Sequence, residues 1–178
     1  MEMYCGMAVE DIVRYGHDGL RKPADKVGKF DDGVRALIAR MFEVMKEASG
    51  LGLAANQVGV PLQVLTYDLG EGPHALVNPK IVKRKGELTG VEGCLSVPGI
   101  QGEVPRAEEI IVKGMDENGK PVRVHAKEML ARVLQHEIDH LQGCLFIDRA
   151  DPETLYEVHK HDEDIEEDLS VESGEAAG

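Results

Sequence analysis

An α+β fold, with mostly antiparallel sheets packed around a central helix that carries the run HEIDH, is what this 178-residue sequence predicts. Two stretches of helical periodicity bracket a block of short β-rich runs, and an Asn-Gly pair inside that block marks a tight hairpin. Helices set apart from a run of strands argue for an antiparallel sheet with helices packed on it, not for alternating parallel units.

The elements follow in order. Residues 32 to 49 place Val34, Leu37, Ile38, Met41, Phe42 and Met45 at helical spacing, with Asp31 or Asp32 as cap and Gly50 as stop. Residues 49 to 59, SGLGLAANQVG, are framed by Gly50, Gly52 and Gly59 and read as a tight loop before a strand at Leu62. The side-chain amide of Gln57 in this loop can donate a hydrogen bond into a nearby site. Four β-rich runs follow, LQVLTYD, HALVNPKIV, EIIVKGM and PVRVHA, broken by LGEGP, RKGELTG and DENGK. Asn118-Gly119 predicts the hairpin between the last two. Helical periodicity then returns in KEMLARVLQHEIDHLQ and ends at Gly143, a favoured position for a helix stop.

Length suits a single domain over residues 1–150. Cys5, Cys94 and Cys144 are few, odd in number and widely spaced, which argues for reduced thiols in a cytoplasmic protein and not for a disulfide framework. No apolar run of about 18 residues exists, and the first residues lack the basic-then-apolar pattern of a signal peptide. The formal charge of −13 is uneven: residues 151–178 hold eleven acids against one lysine. Most of this acidic tail is expected to be solvated and without fixed structure, because it has too little apolar surface to offset its ordering entropy. No basic stripe with interleaved aromatics suggests direct nucleic-acid binding by the body.

The chemistry concentrates in QHEIDHLQG, residues 135–143. His136 and His140 are four apart, so on a helix their rings share one face and can converge on a metal ion. Glu137 lies one step round, placed to act as a general base toward a bound water. Met129 and Val133 continue the same face as an apolar wall. The bland alternative is a surface helix with its charges paired around Glu137 and Asp139. A catalytic metal site wants three protein ligands and an open position, and the third could be Cys144, Cys94, Cys5 or a distant carboxylate. Cys144 follows the expected helix stop at Gly143. Cys94 sits in GVEGCLSVPG beside Gly90 and Gly93, where backbone can approach another group closely.

GLGLAANQ, EGCLS and QHEIDHLQG, in that order and at these separations, resemble the three signature motifs of the peptide deformylase family. The resemblance covers roughly residues 9 to 150, including IVRYGHDGLRKPADKV and GCLFIDR. It implies a hydrolase that removes the formyl group from the formyl-methionine of new polypeptides and releases formate. By that resemblance Cys94, His136 and His140 would hold one divalent ion, typically Fe2+ in the cell with Zn2+, Ni2+ or Co2+ as replacements. Glu137 would move the proton, while the amide of Gln57 and the backbone N–H of Leu95 would meet the oxyanion. Leu51, Met129 and Val133 would receive the methionine side chain, and main chain near Leu51, Gly52 and Gly93 would pair with the peptide backbone.

The partners implied are N-formyl-methionyl nascent peptides, and the ribosome at most transiently. Some relatives dock on the ribosome by a basic C-terminal helix, and the acidic tail argues against that route. Asn56 stands where the family usually has proline, so its loop is expected to be less stiff. GHDGL also lacks a proline common there, and residues 1–6, before a second possible start at Met7, read as an extension of no consequence to the chemistry.

Overall fold

A computed structural model describes residues 12–158 of the chain. It has two helices, α1 (Asp32–Glu47) and α2 (Glu128–Leu141), and eight strands: β1 (Gly52–Ala54), β2 (Val64–Tyr67), β3 (His74–Lys85), β4 (Leu88–Cys94), β5 (Val97–Arg106), β6 (Glu109–Met115), β7 (Pro121–Lys127) and β8 (Tyr156–Glu157). One sheet runs β1-β2-β3-β6-β7 and the other β4-β5-β8, with every strand pair antiparallel. The expected α+β class holds.

α1 starts because the Asp31 carboxylate accepts the Val34 N–H at 3.2 Å, an ordinary N-cap bond. Its apolar stripe, Val34, Ile38, Met41, Val44 and Met45, closes over Val64, Ala75 and Val77 on one face of the larger sheet. α2 covers the opposite face, packing Ala131, Leu134, Ile138 and Leu141 against Leu65, Leu76, Ile110 and Val112. A third cluster, built from Leu20, Val97, Val104, Leu145 and Phe146, lies under the smaller sheet. Phe146 stacks on His136 with ring centroids 6.2 Å apart. α2 is therefore the helix between the layers, and ten of its fourteen residues are buried.

Two expectations about the elements change. RKGELTG was read as a break, but β3 runs on to Lys85 and β4 begins at Leu88, opening a long hairpin with β5. The glycines and prolines of β4 and β5 hide that hairpin from a propensity reading. The chain also remains folded past Ala150: Pro152–Thr154 forms a 3-10 turn, and β8 pairs with Ile100 and Gln101 of β5. The rest of the acidic segment, residues 159–178, and the extension 1–6 lie outside the described residues.

Candidate metal centre

The β4–β5 hairpin turns through Leu95 and Ser96, where Cys94 pairs with Val97. The register slips between Gly93 and Cys94, and such an irregularity re-aims the side chain that follows it. Here it turns the Cys94 thiol toward α2. Cys94 Sγ lies 3.2 Å from His140 Nε2, and that nitrogen lies 3.2 Å from His136 Nε2. The ligand atoms of the three residues all fall within 4.8 Å of one another. Donors around one tetrahedral ion, with bonds of about 2.0 to 2.3 Å, sit about 3.3 to 3.6 Å apart. A sulfur and two imidazole nitrogens at these separations fit a borderline-soft divalent ion.

Among the described residues, the other cysteine does not join them. Cys144 takes its own backbone bond to the Asp139 carbonyl at 2.9 Å after Gly143 has turned left-handed, and it is not in the cluster. Cys5 lies outside the described residues.

The second nitrogen of His136 is oriented by Glu92, whose Oε2 is 2.9 Å from Nδ1. A carboxylate there selects the tautomer that leaves Nε2 free for a metal. Glu92 is buried and also accepts two bonds from Arg106 at 2.9 Å and one from Arg132 at 2.7 Å. Burial alone would push its carboxyl up; hydrogen bonds and charge from Arg106 and His136 outweigh that and hold it down at about 2. Arg106 reaches on to Asp139, which Arg149 grips at 2.5 and 2.7 Å. Asp139 is thus buried in an ion network, not part of the surface pairing considered as the bland alternative.

Glu92, Arg106 and Arg132 were missed in the sequence. The only available signal was an acid two residues before Cys94, because the arginines that meet it come from β5 and α2. Gln135 was missed as well: its amide clamps the Ala107 backbone, accepting at 3.0 Å and donating at 2.9 Å.

Glu137 is 4% exposed, and its Oε2 makes no hydrogen bond among the described residues. Burial pushes its carboxyl up to about 7 against the pull of His136. Gln57 is also buried; its Oε1 accepts the Ala54 N–H at 2.8 Å, and its Nε2 lies 3.7 Å from Cys94 Sγ. Asn56 corrects an expectation. Its side-chain amide donates to the backbone carbonyl of His140, so the loop is stitched to α2 by a bond that proline could not make.

A cleft of about 770 Å³ opens over these groups. Leu51, Gly52, Gly93, Met129 and Val133 all line it, as do Gln57, Leu95, His136 and Glu137. Val133 is buried, whereas Leu51 and Met129 are about half exposed at the mouth. β1 and β4 are edge strands of their sheets, and residues of both border the cleft. The residues that the family resemblance implied for the site therefore share one cavity, with His140 just behind its wall against Cys94 and His136.

Two imidazoles, a thiol and a buried carboxyl at the floor of an open cleft define a candidate mononuclear metallohydrolase centre. The family model described as polypeptide deformylase matches residues 9–156. The peptide deformylase of Syntrophomonas wolfei is 46% identical over 144 residues, covering 81% of this chain and 95% of that protein. That of Pelotomaculum thermopropionicum is 50% identical over 144 residues, covering 81% of this chain and 93% of its own. The crystal structure of peptide deformylase from Thermotoga maritima superposes with a TM-score of 0.77 at 42% identity, covering 79% of this chain and 97% of that one. The chain belongs to the polypeptide deformylase family and is an enzyme of the hydrolase class.

Proposed function

We propose that this enzyme removes the formyl group from the N-formyl-methionyl end of newly made polypeptides in the cytoplasm and releases formate. The observation that carries the reading is the meeting of Cys94 with His136 and His140 beside Glu137 in one cleft. A sulfur third ligand sets this site apart from the commoner His-Glu-x-x-His peptidases. A divalent ion held by these three residues, Fe2+ in the cell with Zn2+, Ni2+ or Co2+ able to substitute, would supply Lewis acidity toward a water and the formyl oxygen.

Glu137 takes the proton of the attacking water, for which its unpartnered Oε2 is available. As the water oxygen bonds to the formyl carbon, charge develops on the formyl oxygen, and the Gln57 amide and the Leu95 N–H donate to it. The C–N bond then breaks, Glu137 returns the proton to the departing amine, and formate remains. The methionine side chain enters between Leu51, Met129 and Val133. The peptide backbone pairs with main chain at Leu51, Gly52 and Gly93, like a strand added to an open edge. Backbone pairing reads no side chains, which suits a step common to many nascent chains. The catalytic unit in this reading is the single domain of residues 1–150, and any encounter with the ribosome is transient.

The test is formate release from formyl-Met-Ala-Ser by the metal-loaded full chain, beside the same peptide without its formyl group. We expect formate from the first and no cleavage of the second, with Glu137→Gln lowering kcat by at least about 100-fold at unchanged metal content. Cleavage of internal peptide bonds alone would reject the substrate assignment.

A further inference from the structure

One buried hydroxyl beside the site has no part in the scheme so far. Ser96, the second residue of the hairpin turn, is 0% exposed, and its Oγ lies 3.1 Å from Nε2 of Gln57. A primary amide offers one carbonyl and two N–H groups. The side-chain oxygen of Gln57, Oε1, is already taken by the Ala54 N–H at 2.8 Å, so the two ends of the amide cannot exchange without breaking that bond. With one N–H on Ser96, the other donates to Cys94 Sγ at 3.7 Å, a long bond that points it toward the metal cluster, where an oxygen in the cleft can take it over.

Both ends of this contact hang from one short segment. The Val13 N–H donates to the backbone carbonyl of Gln57 at 2.8 Å, and the Tyr15 N–H donates to the backbone carbonyl of Ser96 at 2.7 Å. Between them, the Arg14 guanidinium donates to the Leu95 carbonyl. The separation of the two loops is thereby set by the chain from Val13 to Tyr15.

We propose that Ser96 is a positioning residue for the reaction: its hydroxyl accepts one N–H of Gln57 and so aims the other at the developing oxyanion. The proposal rests on Gln57 being an oxyanion donor. The terminal torsion of a glutamine is broad, and the Ala54 bond alone leaves the amide free to tilt about its carbonyl end. Deleting a whole donor of this kind costs about 10²- to 10³-fold in kcat; tilting one costs less.

The experiment is a double-mutant cycle in the Ni2+-loaded full chain with formyl-Met-Ala-Ser. Ser96→Ala is expected to lower kcat about tenfold with KM within about twofold and metal content unchanged, whereas the same change in a Gln57→Leu background has no further effect. In 15N-labelled protein the Gln57 side-chain amide should exchange its protons slowly, and Ser96→Ala should remove that protection without altering Tm by more than a few degrees. An equal loss in both backgrounds would make the hydroxyl a general structural group and overturn the proposal, as would an unchanged kcat. If Gln57→Leu itself leaves kcat intact, the donor assignment falls first and the positioning role with it.

Discussion

A single methyl group decides whether Glu137 has room. A Cβ built on Gly52 would lie 2.6 Å from Glu137 Oε1 and 2.9 Å from Val133 Cγ1, closer than atoms of this kind tolerate. Gly52→Ala should therefore displace the carboxyl and lower kcat at least tenfold without loss of metal; near-normal turnover would mean that Glu137 moves freely or does not matter. The thiols give a paired test. Cys94→Ser should abolish tight metal binding and Cys144→Ser should leave it intact, because among the described residues Cys94 Sγ, and not Cys144 Sγ, joins the two imidazoles. Metal content after dialysis decides this, and equal loss in both would overturn the ligand set. At this scale the histidines, Glu137 and Gln57 were legible because each stands in a short contiguous motif. Glu92 was not, since its partners are remote in sequence: Arg106 is fourteen residues away and Arg132 forty.

Among the elements, the two helices could be read nearly to their ends, because helical periodicity is a local signal. The β4–β5 hairpin could not. Its four strand glycines, Gly90, Gly93, Gly99 and Gly102, lower β-propensity, yet two of them answer to tertiary neighbours. A Cβ on Gly90 would meet the Arg132 guanidinium at 3.0 Å, and one on Gly102 would meet Leu155 at 2.7 Å. The opening of α2 carries a strain that no pattern predicted: Glu128 has φ of 49°, a left-handed conformation disfavoured for a residue with a Cβ. Glu128→Gly should relieve it and stabilise the protein by about 0.5 to 1 kcal/mol, after the greater chain entropy of glycine is set against the relief. Chemical denaturation would measure the gain, and a loss of stability would show that the glutamate side chain contributes more than the backbone costs.

For the whole molecule, the network running Arg132, Glu92, Arg106, Asp139 and Arg149 joins both strands of the hairpin to α2 and to the segment that follows it. Glu92 and Arg106 are each about 4% exposed at the side chain, so the pair is shielded from water. Removing one member of such a pair leaves an uncompensated buried charge, which typically costs about 3 to 5 kcal/mol. Glu92→Gln should therefore destabilise the fold by about 3 kcal/mol. It should also weaken metal affinity about 10- to 100-fold, because His136 loses the carboxylate that orients it. Denaturation and metal competition read the two effects separately; intact affinity in a destabilised variant would confine Glu92 to a structural role.

Local chemistry is what the sequence by itself determined: the helical face that carries both imidazoles and Glu137, the capped first helix, the tight Asn-Gly turn, and the spacing of motifs that marks the family. Tertiary structure alone decided that Asn56 ties its loop to α2 and that Glu92 aims His136; Cys94, one of four candidates by the residues and the one the family motifs implied, is brought to the histidines by the hairpin. The physical reason is the range of the interactions. Periodicity and capping act within a turn or two of chain, whereas the ligand cluster and its ion network depend on a register slip in one hairpin and on partners up to 46 residues apart.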